Sequence, residues 1–279
     1  MRILKCKTKH QKKIIRIKTT SAVYGPNAGG ACVKQDKKII LPWKTFAHPR
    51  EVLTNFAAII YIMKFFIDTA NLAQIKEAHD LGILDGVTTN PSLMAKEGIK
   101  GHDAILQHYK TICEMVDGPV SAEVLGTSFE EIVEEGKKLA AIHKNIVVKV
   151  PMIKDGIKAI KWFTDNDIQT NCTLVFSAGQ AILAAKAGAT YVSPFIGRID
   201  DSSWDGVQLI EQIVNIYNAQ GFMTEVLAAS IRNPLHIVRC AEAGADVCTC
   251  PLSSILGLLK HPLTDIGLQQ FLNDAKAMQ

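Results

Sequence analysis

The amino-acid sequence predicts an α/β fold, a single (β/α)8 barrel with an extra helix after the eighth unit. From residue 63 onward, short apolar runs alternate with amphipathic segments of helical length, which implies a parallel sheet. The alternation gives eight β-then-α units, the number that closes a TIM-type barrel. Polar residues also gather near the C-terminal ends of the predicted strands, where such barrels carry their functional sites.

Each strand is predicted from a short run of β-branched and apolar residues. The runs cover residues 64–69, 85–90, 120–125, 146–151, 168–175, 190–195, 223–230 and 246–250. Helical spacing of apolar residues predicts helices between them. These cover residues 71–81, 102–116, 128–143, 155–165, 177–187, 203–219, 233–243 and 252–259. A doubly wound open sheet is the alternative, but it usually has about six strands, and no GxGxxG follows the first run.

A further amphipathic segment, residues 262–279, follows the barrel, which spans residues 63–261. Its apolar residues at helical spacing are Leu263, Ile266, Phe271, Leu272 and Ala275. Because a barrel needs no ninth outer helix, this stripe must be buried on its own barrel or on a neighbouring subunit. We predict a neighbouring subunit, and therefore a homo-oligomer.

Residues 1–62 differ in composition from the rest of the chain. They hold 13 Lys or Arg and only two acids, Asp36 and Glu51, whereas residues 63–279 hold 18 Lys or Arg and 25 acids. A basic segment suits a nucleic-acid or membrane-surface arm, or a targeting peptide. We favour a disordered tail or translated upstream sequence, with the true start at Met63, because charge runs are usually just solvated.

The composition favours a cytoplasmic protein that binds neither nucleic acid nor a membrane. Of the 279 residues, 48% are hydrophobic and 21% are charged, which allows a sizeable core. The longest apolar run begins at Phe56 and is interrupted by Lys64, and it falls short of the ~18 residues of a bilayer span. Seven cysteines, an odd number without zinc-ligand spacing, indicate a reducing compartment.

Lys149, in the run NIVVKVP, is the most unusual residue of the predicted barrel. Side chains alternate between the two faces of a strand, so Lys149 shares a face with Val147. The other face is aliphatic and carries Ile146, Val148 and Val150. That face belongs under the helices, so Lys149 points into the barrel, where a lysine is rare without a partner or a task.

The same alternation places polar groups at the ends of other strands. Thr88 and Asn90 share a face in the second strand, and Asn171 and Thr173 share one in the fifth, with Val175 beyond. Further residues at or near strand ends are Asp68, Glu123, Ser193, Phe195 and Ser230. One such residue alone could be a hydrogen-bonded structural group, but their convergence on one end of a barrel indicates catalysis.

These residues suit covalent catalysis at a carbonyl. Burial disfavours the charged form of an amine, and a neutral Lys149 would form a Schiff base with a carbonyl substrate. The iminium is an electron sink that lets an adjacent bond break. In this hypothesis Asp68 and Glu123 move protons, and the remaining roles fall to Thr173 for a catalytic water and Asn90 and Asn171 for substrate hydroxyls. No metal cluster is visible, and the chemistry requires neither a metal nor a cofactor.

Residues after the sixth and seventh strands predict a phosphate site. Arg198 follows the sixth strand, and Ser230 and Arg232 follow the seventh. Arginine binds phosphate in bidentate fashion, and barrels often hold phosphate near their last strands. Either arginine alone would be assigned to a surface ion pair, but two beside a predicted active site favour a phosphate dianion.

These segments resemble the transaldolase family, in particular its short-chain branch, which includes the fructose-6-phosphate aldolases. The resemblance runs from Met63 to about Gln279 and rests on FIDTAN, GVTTNPSL, IVVKVP, SPFIGRIDD and AASIRNP, in the family's order. It implies a class I aldolase mechanism with Lys149 as the Schiff-base lysine and Asp68 as the acid/base group. The other positions that match active-site or phosphate-binding residues are Asn90, Asn171, Thr173, Ser193, Arg198, Ser230 and Arg232.

Two positions separate the branches of this family. At these positions this chain has Glu123 and Phe195, and transaldolases resemble it in having Glu and Phe there. The fructose-6-phosphate aldolases have Gln and Tyr instead. The resemblance therefore implies transfer of a dihydroxyacetone unit from sedoheptulose 7-phosphate to glyceraldehyde 3-phosphate, giving erythrose 4-phosphate and fructose 6-phosphate. It also implies a ring-shaped homo-oligomer, often a decamer in the short-chain branch.

Two alternatives stay open. Fructose-6-phosphate aldolase is the alternative within the family. A non-catalytic barrel that binds sugar phosphates, with residues 1–62 as a nucleic-acid tether, is the alternative outside it.

Overall fold

The computed structural model describes residues 13–22, 32–41 and 62–278. The first two segments are strands β1 (Lys13–Ala22) and β2 (Cys32–Leu41), which pair antiparallel along their whole length. The sequence predicts no strands here, because residues 1–62 as a whole show little periodicity. The rest of the predicted N-terminal extension lies outside the described residues.

The later part of the chain forms a closed barrel of eight parallel strands, which confirms the predicted fold. The strands are β3 (Lys64–Asp68), β4 (Gly86–Thr88), β5 (Val120–Glu123), β6 (Ile146–Pro151), β7 (Thr170–Val175), β8 (Tyr191–Pro194), β9 (Glu225–Ala228) and β10 (Val247–Cys250). They pair in chain order, and β10 pairs with β3 to close the barrel. Each corresponds to one predicted strand: β6 has the predicted bounds, and the other strands are shorter than predicted by one to four residues.

Helices alternate with these strands, as the sequence predicts. In chain order they are α1 (Leu72–Asp80), α2 (Pro91–Lys96), α3 (His102–Met115), α4 (Phe129–Ala140), α5 (Lys154–Asp165), α6 (Ala178–Ala187), α7 (Ile196–Asp200), α8 (Gly206–Gln220), α9 (Pro234–Ala243), α10 (Leu252–Gly257) and α11 (Pro262–Ala277). The short helices α2 and α7 are not predicted from the sequence, because neither is long enough to show a helical period. Within the described residues, no helix has both the length and the hydrophobicity needed to cross a bilayer.

Two apolar layers fix which way each strand residue faces. A small cluster fills the inside of the barrel, and we call it the barrel floor: Phe66, Val147, Tyr191, Leu227 and Val247. A larger core lies between strands and helices and includes Val148 and Val150. Lys149 therefore lies on the inward face of β6, as predicted, two residues after Val147 of the barrel floor.

Strand β7 departs from regular alternation. Cys172 lies opposite Val192 and Val175 lies opposite Pro194, so three steps along β7 match two steps along β8. The bulge contains Leu174, whose φ of 60° lies in the left-handed region. Both Cys172 and Val175 pack in the core under the helices. The prediction that Val175 continues the face of Asn171 and Thr173 is therefore wrong, because the bulge breaks the period of two.

Helix α11 is present as predicted, but none of its residues is buried. Its large apolar side chains are between 49% and 73% exposed: Leu263, Ile266, Leu268, Phe271 and Leu272. The helix thus presents its apolar stripe without a covering surface from the described residues.

Candidate active site

The C-terminal ends of the barrel strands surround a cavity of about 140 Å³. The residues that line it are Asp68, Thr88, Asn90, Lys149, Ser193, Phe195, Arg198, Ala229, Ser230 and Thr249. The sequence singles out all of these except Ala229 and Thr249. The structure therefore brings most of the predicted site residues to one place, above the barrel floor.

Lys149 borders this cavity and is held by two hydrogen-bonding partners. Its side chain is 6% exposed, and Nζ lies 2.9 Å from Oε2 of Glu123, its register partner on β5. Nζ also donates to the carbonyl oxygen of Thr89 at 3.2 Å. A buried ammonium is tolerated when its charge is paired and hydrogen-bonded in this way. The same contact lets Glu123 accept a proton from the amine directly.

Asp68, at the end of β3, faces the same cavity. Thr88 Oγ1 donates to Asp68 Oδ1 at 2.7 Å. Desolvation by the surrounding protein raises the pKa of Asp68, and this effect exceeds the opposing influence of Lys149, the Thr88 hydroxyl and Lys96. A carboxyl group with a raised pKa exchanges protons more readily near neutral pH, so Asp68 suits general acid–base catalysis.

Asn171 lies beside Lys149 on the neighbouring strand. Its Nδ2 donates to Ser121 Oγ at 3.1 Å, and its Oδ1 accepts from Ser193 Oγ at 2.6 Å. All three side chains of this chain of hydrogen bonds are buried. The network fixes the orientation of the amide and connects it to Ser193, which reaches the cavity.

Thr173 is buried, and its hydroxyl has no hydrogen-bond partner in the part of the chain that the structure describes. It lies opposite Pro151, two residues beyond Lys149. Buried hydroxyl groups are normally hydrogen-bonded, so this one suits a water molecule or a substrate oxygen. The predicted role of Thr173 is compatible with this placement.

Asn90 connects the cavity to helix α2. Its side chain lines the cavity, and its Oδ1 accepts the backbone N–H of Leu93 at 3.0 Å as the N-cap of α2. The hydrogen bond to the helix fixes the orientation of the amide, and its nitrogen is the group that can donate to a substrate oxygen.

The structure brings two of the three predicted phosphate-binding residues to the cavity. Arg198 and Ser230 line it, and the Arg198 guanidinium lies 5.2 Å from the centre of the Phe195 ring. Arg232 does not line the cavity; its guanidinium is paired with Asp201 at 2.8 Å. Of the two predicted phosphate-binding arginines, only Arg198 therefore lines the cavity.

The loop that carries Ser230 is fixed against α7. Ser230 has a φ of 60°, an unfavourable conformation for a residue with a Cβ, and its carbonyl oxygen accepts the N–H of Gly197 at 3.1 Å. A Cβ at Gly197 would lie 2.2 Å from that oxygen. Only glycine permits this approach, which brings Arg198 and Ser230 to the same side of the cavity.

Three groups that contact predicted site residues are not predicted from the sequence. Thr249 Oγ1 lies 2.6 Å from Thr88 Oγ1, and alternation from Val247 would have placed it inward. The Thr89 carbonyl and the Tyr109 hydroxyl, which accepts the N–H of Glu123 at 3.3 Å, carry no signal in the sequence. Backbone and helix contacts of this kind depend on the three-dimensional approach of distant segments.

Comparisons with known proteins agree with this arrangement. The family model described as transaldolase/fructose-6-phosphate aldolase matches residues 65–279. A probable transaldolase of Cytophaga hutchinsonii is 69% identical over 214 residues, which cover 77% of this chain and 98% of that protein. A probable transaldolase of Phocaeicola vulgatus is 68% identical with the same coverage.

A solved structure, a cube-shaped protein cage designed by fusing symmetric oligomeric domains, is also similar to this chain. The match has a TM-score of 0.51 at 13% identity and covers 77% of this chain and 78% of the other, a likeness of fold alone. The family match and the high identity to the two bacterial relatives carry the assignment. The chain belongs to the transaldolase/fructose-6-phosphate aldolase family.

Proposed function

We propose that this protein is a transaldolase that acts through a Schiff base on Lys149. The observation that carries this proposal is a buried lysine with a carboxylate at 2.9 Å, beside a cavity lined by a second carboxyl group, Asp68. Membership of the family, and relatives that are named probable transaldolases, support it.

The Schiff base forms at the C-terminal end of β6. Glu123 accepts a proton from Lys149, and the neutral Nζ attacks the carbonyl carbon of a ketose phosphate. Through Glu123, one proton passes from the attacking nitrogen to the former carbonyl oxygen, which gives a neutral carbinolamine. Glu123 then donates its own proton to that hydroxyl group, which leaves as water when the iminium forms. Thr173, whose buried hydroxyl has no hydrogen-bond partner among the described residues, would hold that water.

Asp68 handles the cleavage step. It accepts the proton of the hydroxyl group on carbon 4 of the ketose, and the bond between carbons 3 and 4 breaks. The electron pair of that bond neutralises the iminium, so a three-carbon enamine stays on Lys149 while the aldehyde leaves. In the return direction the enamine carbon attacks an acceptor aldehyde, and Asp68 gives its proton to the new hydroxyl group.

The proposed substrates are phosphorylated sugars. Sedoheptulose 7-phosphate would donate the three-carbon unit to glyceraldehyde 3-phosphate, giving erythrose 4-phosphate and fructose 6-phosphate. Arg198 and Ser230 would bind the phosphate group at the cavity, and Arg232 would join them by exchanging its ion pair with Asp201 for the phosphate.

Fructose-6-phosphate aldolase is the second candidate, because the family description includes that activity. Phe195 favours transfer instead. Its ring borders the cavity and packs edge-on against Phe176 with ring centres 5.8 Å apart. It offers no hydroxyl group to position a water or a proton next to the enamine, which therefore waits for an aldehyde acceptor.

One experiment tests the proposal and separates the two candidates. The protein is given fructose 6-phosphate with and without erythrose 4-phosphate, and product formation is measured. A transaldolase requires the acceptor, whereas an aldolase releases free dihydroxyacetone without it. In parallel, borohydride reduction in the presence of fructose 6-phosphate, followed by peptide mapping, should modify Lys149; modification of another lysine would refute the assigned site.

We also propose that α11 binds a second copy of this chain. Its exposed stripe needs an apolar surface, and the same chain exposes large apolar side chains on the loops near the barrel mouth: Leu125, Phe176 and Trp204. Light scattering should show an oligomer that dissociates in the Phe271→Glu variant. A wild-type protein that remains monomeric would contradict the proposal.

A further inference from the structure

We propose that Thr249 is a positioning residue for the acid–base step, and that its hydroxyl acts through Thr88 to fix which oxygen of Asp68 exchanges a proton with the substrate. The inference rests on the proposed function, because it deepens the role of Asp68 in that reaction.

The three residues meet where the barrel closes. Strand β3 carries Asp68 and lies between β4, with Thr88, and β10, with Thr249. The oxygen–oxygen distances are 2.6 Å from Thr249 to Thr88 and 2.7 Å from Thr88 to Asp68 Oδ1. Both threonines are 2% exposed, and both line the cavity. They form a continuous chain of short hydrogen bonds that ends on the carboxyl group.

The direction of this chain follows from counting protons. A threonine hydroxyl has one proton to donate, and an ionised carboxyl group only accepts. Because Thr88 gives its proton to Asp68 Oδ1, Thr249 must be the donor in its contact with Thr88. Oδ1 therefore already accepts a hydrogen bond, and Oδ2, which receives none from Thr88, is the more basic oxygen that takes the proton from the substrate. The same arrangement holds after Oδ2 is protonated, so no hydroxyl group has to turn during the step.

The charged groups that face Asp68 do not depend on Thr249. Lys149 approaches from β6 and Lys96 from α2, and both favour the ionised carboxylate. Glu123 is paired with Lys149, and Arg198 lines the same cavity. Replacing Thr249 leaves these charges in place and removes only the terminal donor of the hydroxyl chain.

The test variant is Thr249→Val, which keeps the shape of the side chain and removes its hydroxyl. Loss of the donor weakens the Thr88–Asp68 hydrogen bond, so the pKa of Asp68 rises further. We expect kcat for acceptor-dependent transfer to fall about tenfold, with KM for the donor sugar nearly unchanged. The acid limb of the pH–kcat profile should move to higher pH. Thr249→Ser should restore both quantities.

A matched control is Thr170→Val, on barrel strand β7. The Thr170 hydroxyl is buried and has no hydrogen-bond partner among the described residues. This variant should leave kcat and the acid limb unchanged. An equal change in Thr170→Val and Thr249→Val would overturn the proposal, because the effect would then come from losing any buried hydroxyl. If Thr249→Val melts below the assay temperature, Thr249→Ala carries the same prediction.

Borohydride trapping separates this inference from the proposed function. Thr249→Val should still be trapped on Lys149 with fructose 6-phosphate at the wild-type level, because Schiff-base formation uses Glu123. A variant with wild-type kcat and acid limb would refute the role of Thr249 while leaving the proposed function intact. Absence of trapping and of transfer in the wild-type protein would instead refute the proposed function.

Discussion

Two lysine–glutamate pairs lie on the inward face of the barrel, one at each end of the strands. Lys64 on β3 lies 2.9 Å from Glu225 on β9, and Lys149 on β6 lies 2.9 Å from Glu123 on β5. The residue types and the distances are the same. The lysine side chains differ in exposure, which is 34% for Lys64 and 6% for Lys149.

The surroundings explain why only one of these pairs suits catalysis. Lys64 donates to both carboxylate oxygens of Glu225, at 3.1 and 2.9 Å, below the barrel floor. Lys149 has one carboxylate contact and one carbonyl contact, and it borders a cavity that also contains Asp68. An ion pair alone therefore does not mark a candidate active site; access to a cavity and a second proton carrier distinguish Lys149 from Lys64.

The largest effect is expected from Lys149→Met. The variant lacks the only nucleophile of the proposed mechanism, so acceptor-dependent transfer should fall by about 10⁴-fold or more. Lys64→Met is the matched control from the other end of the barrel and should remain active. Turnover of sugar phosphates by Lys149→Met at the parental rate would remove the basis of the proposed function.

Asp68→Asn should lose activity and gain stability. The rate should fall about 10²- to 10⁴-fold, because the variant lacks the group that exchanges the proton. Since the pKa of Asp68 is raised in the fold, the ionised side chain destabilises the folded state at pH 7, and removing its charge should raise the melting temperature.

The size of this stability change depends on pH. Below the unfolded pKa of aspartate both states are protonated and the penalty is absent; it grows as pH rises to the folded pKa of Asp68 and stays constant above. The melting-temperature gain of Asp68→Asn should therefore disappear in acid. Glu225→Gln, at the other end, should keep its activity and gain no stability. A gain for Asp68→Asn that persists below pH 3 would contradict this account.

A smaller change is expected from Phe195→Tyr, which places a hydroxyl group at the cavity. Such a group can position a water or a proton beside the enamine, so cleavage of fructose 6-phosphate without an acceptor should rise several-fold. Release of dihydroxyacetone measures it, with Phe176→Tyr as the control on the neighbouring ring. An unchanged rate in Phe195→Tyr would count against an apolar wall as the reason for transfer.

The smallest effect is expected from Lys64→Met itself. Its ion pair is partly exposed, and pairs of this kind contribute about 1 kcal/mol or less to stability. Urea unfolding should show a free energy of unfolding lowered by about that amount, with kcat unchanged. A large loss of activity would show that the two ends of the barrel are coupled through the floor.

Most of the barrel and its polar centre could be predicted because strands obey a simple period. Because one face of its strand is aliphatic, the alternation of side chains predicts that Lys149 points into the barrel. The same rule applied from Val247 predicts that Thr249 also points inward. The rule fails for Val175, because a bulge depends on how β7 pairs with β8 and leaves no mark in the local sequence. The same limit explains Arg232, whose pairing with Asp201 arises from the docking of α7 on another loop.

Asn90 holds the first turn of α2 with one end of its amide and faces the cavity with the other. A sugar that binds the amide nitrogen of Asn90 should therefore also restrain the N-cap of α2. Occupancy can therefore be followed without a labelled ligand: the solvent exchange of the Leu93 amide hydrogen should slow when the cavity fills, although Leu93 is not among the residues that line it. We expect that single amide to serve as a spectroscopic reporter of the cavity.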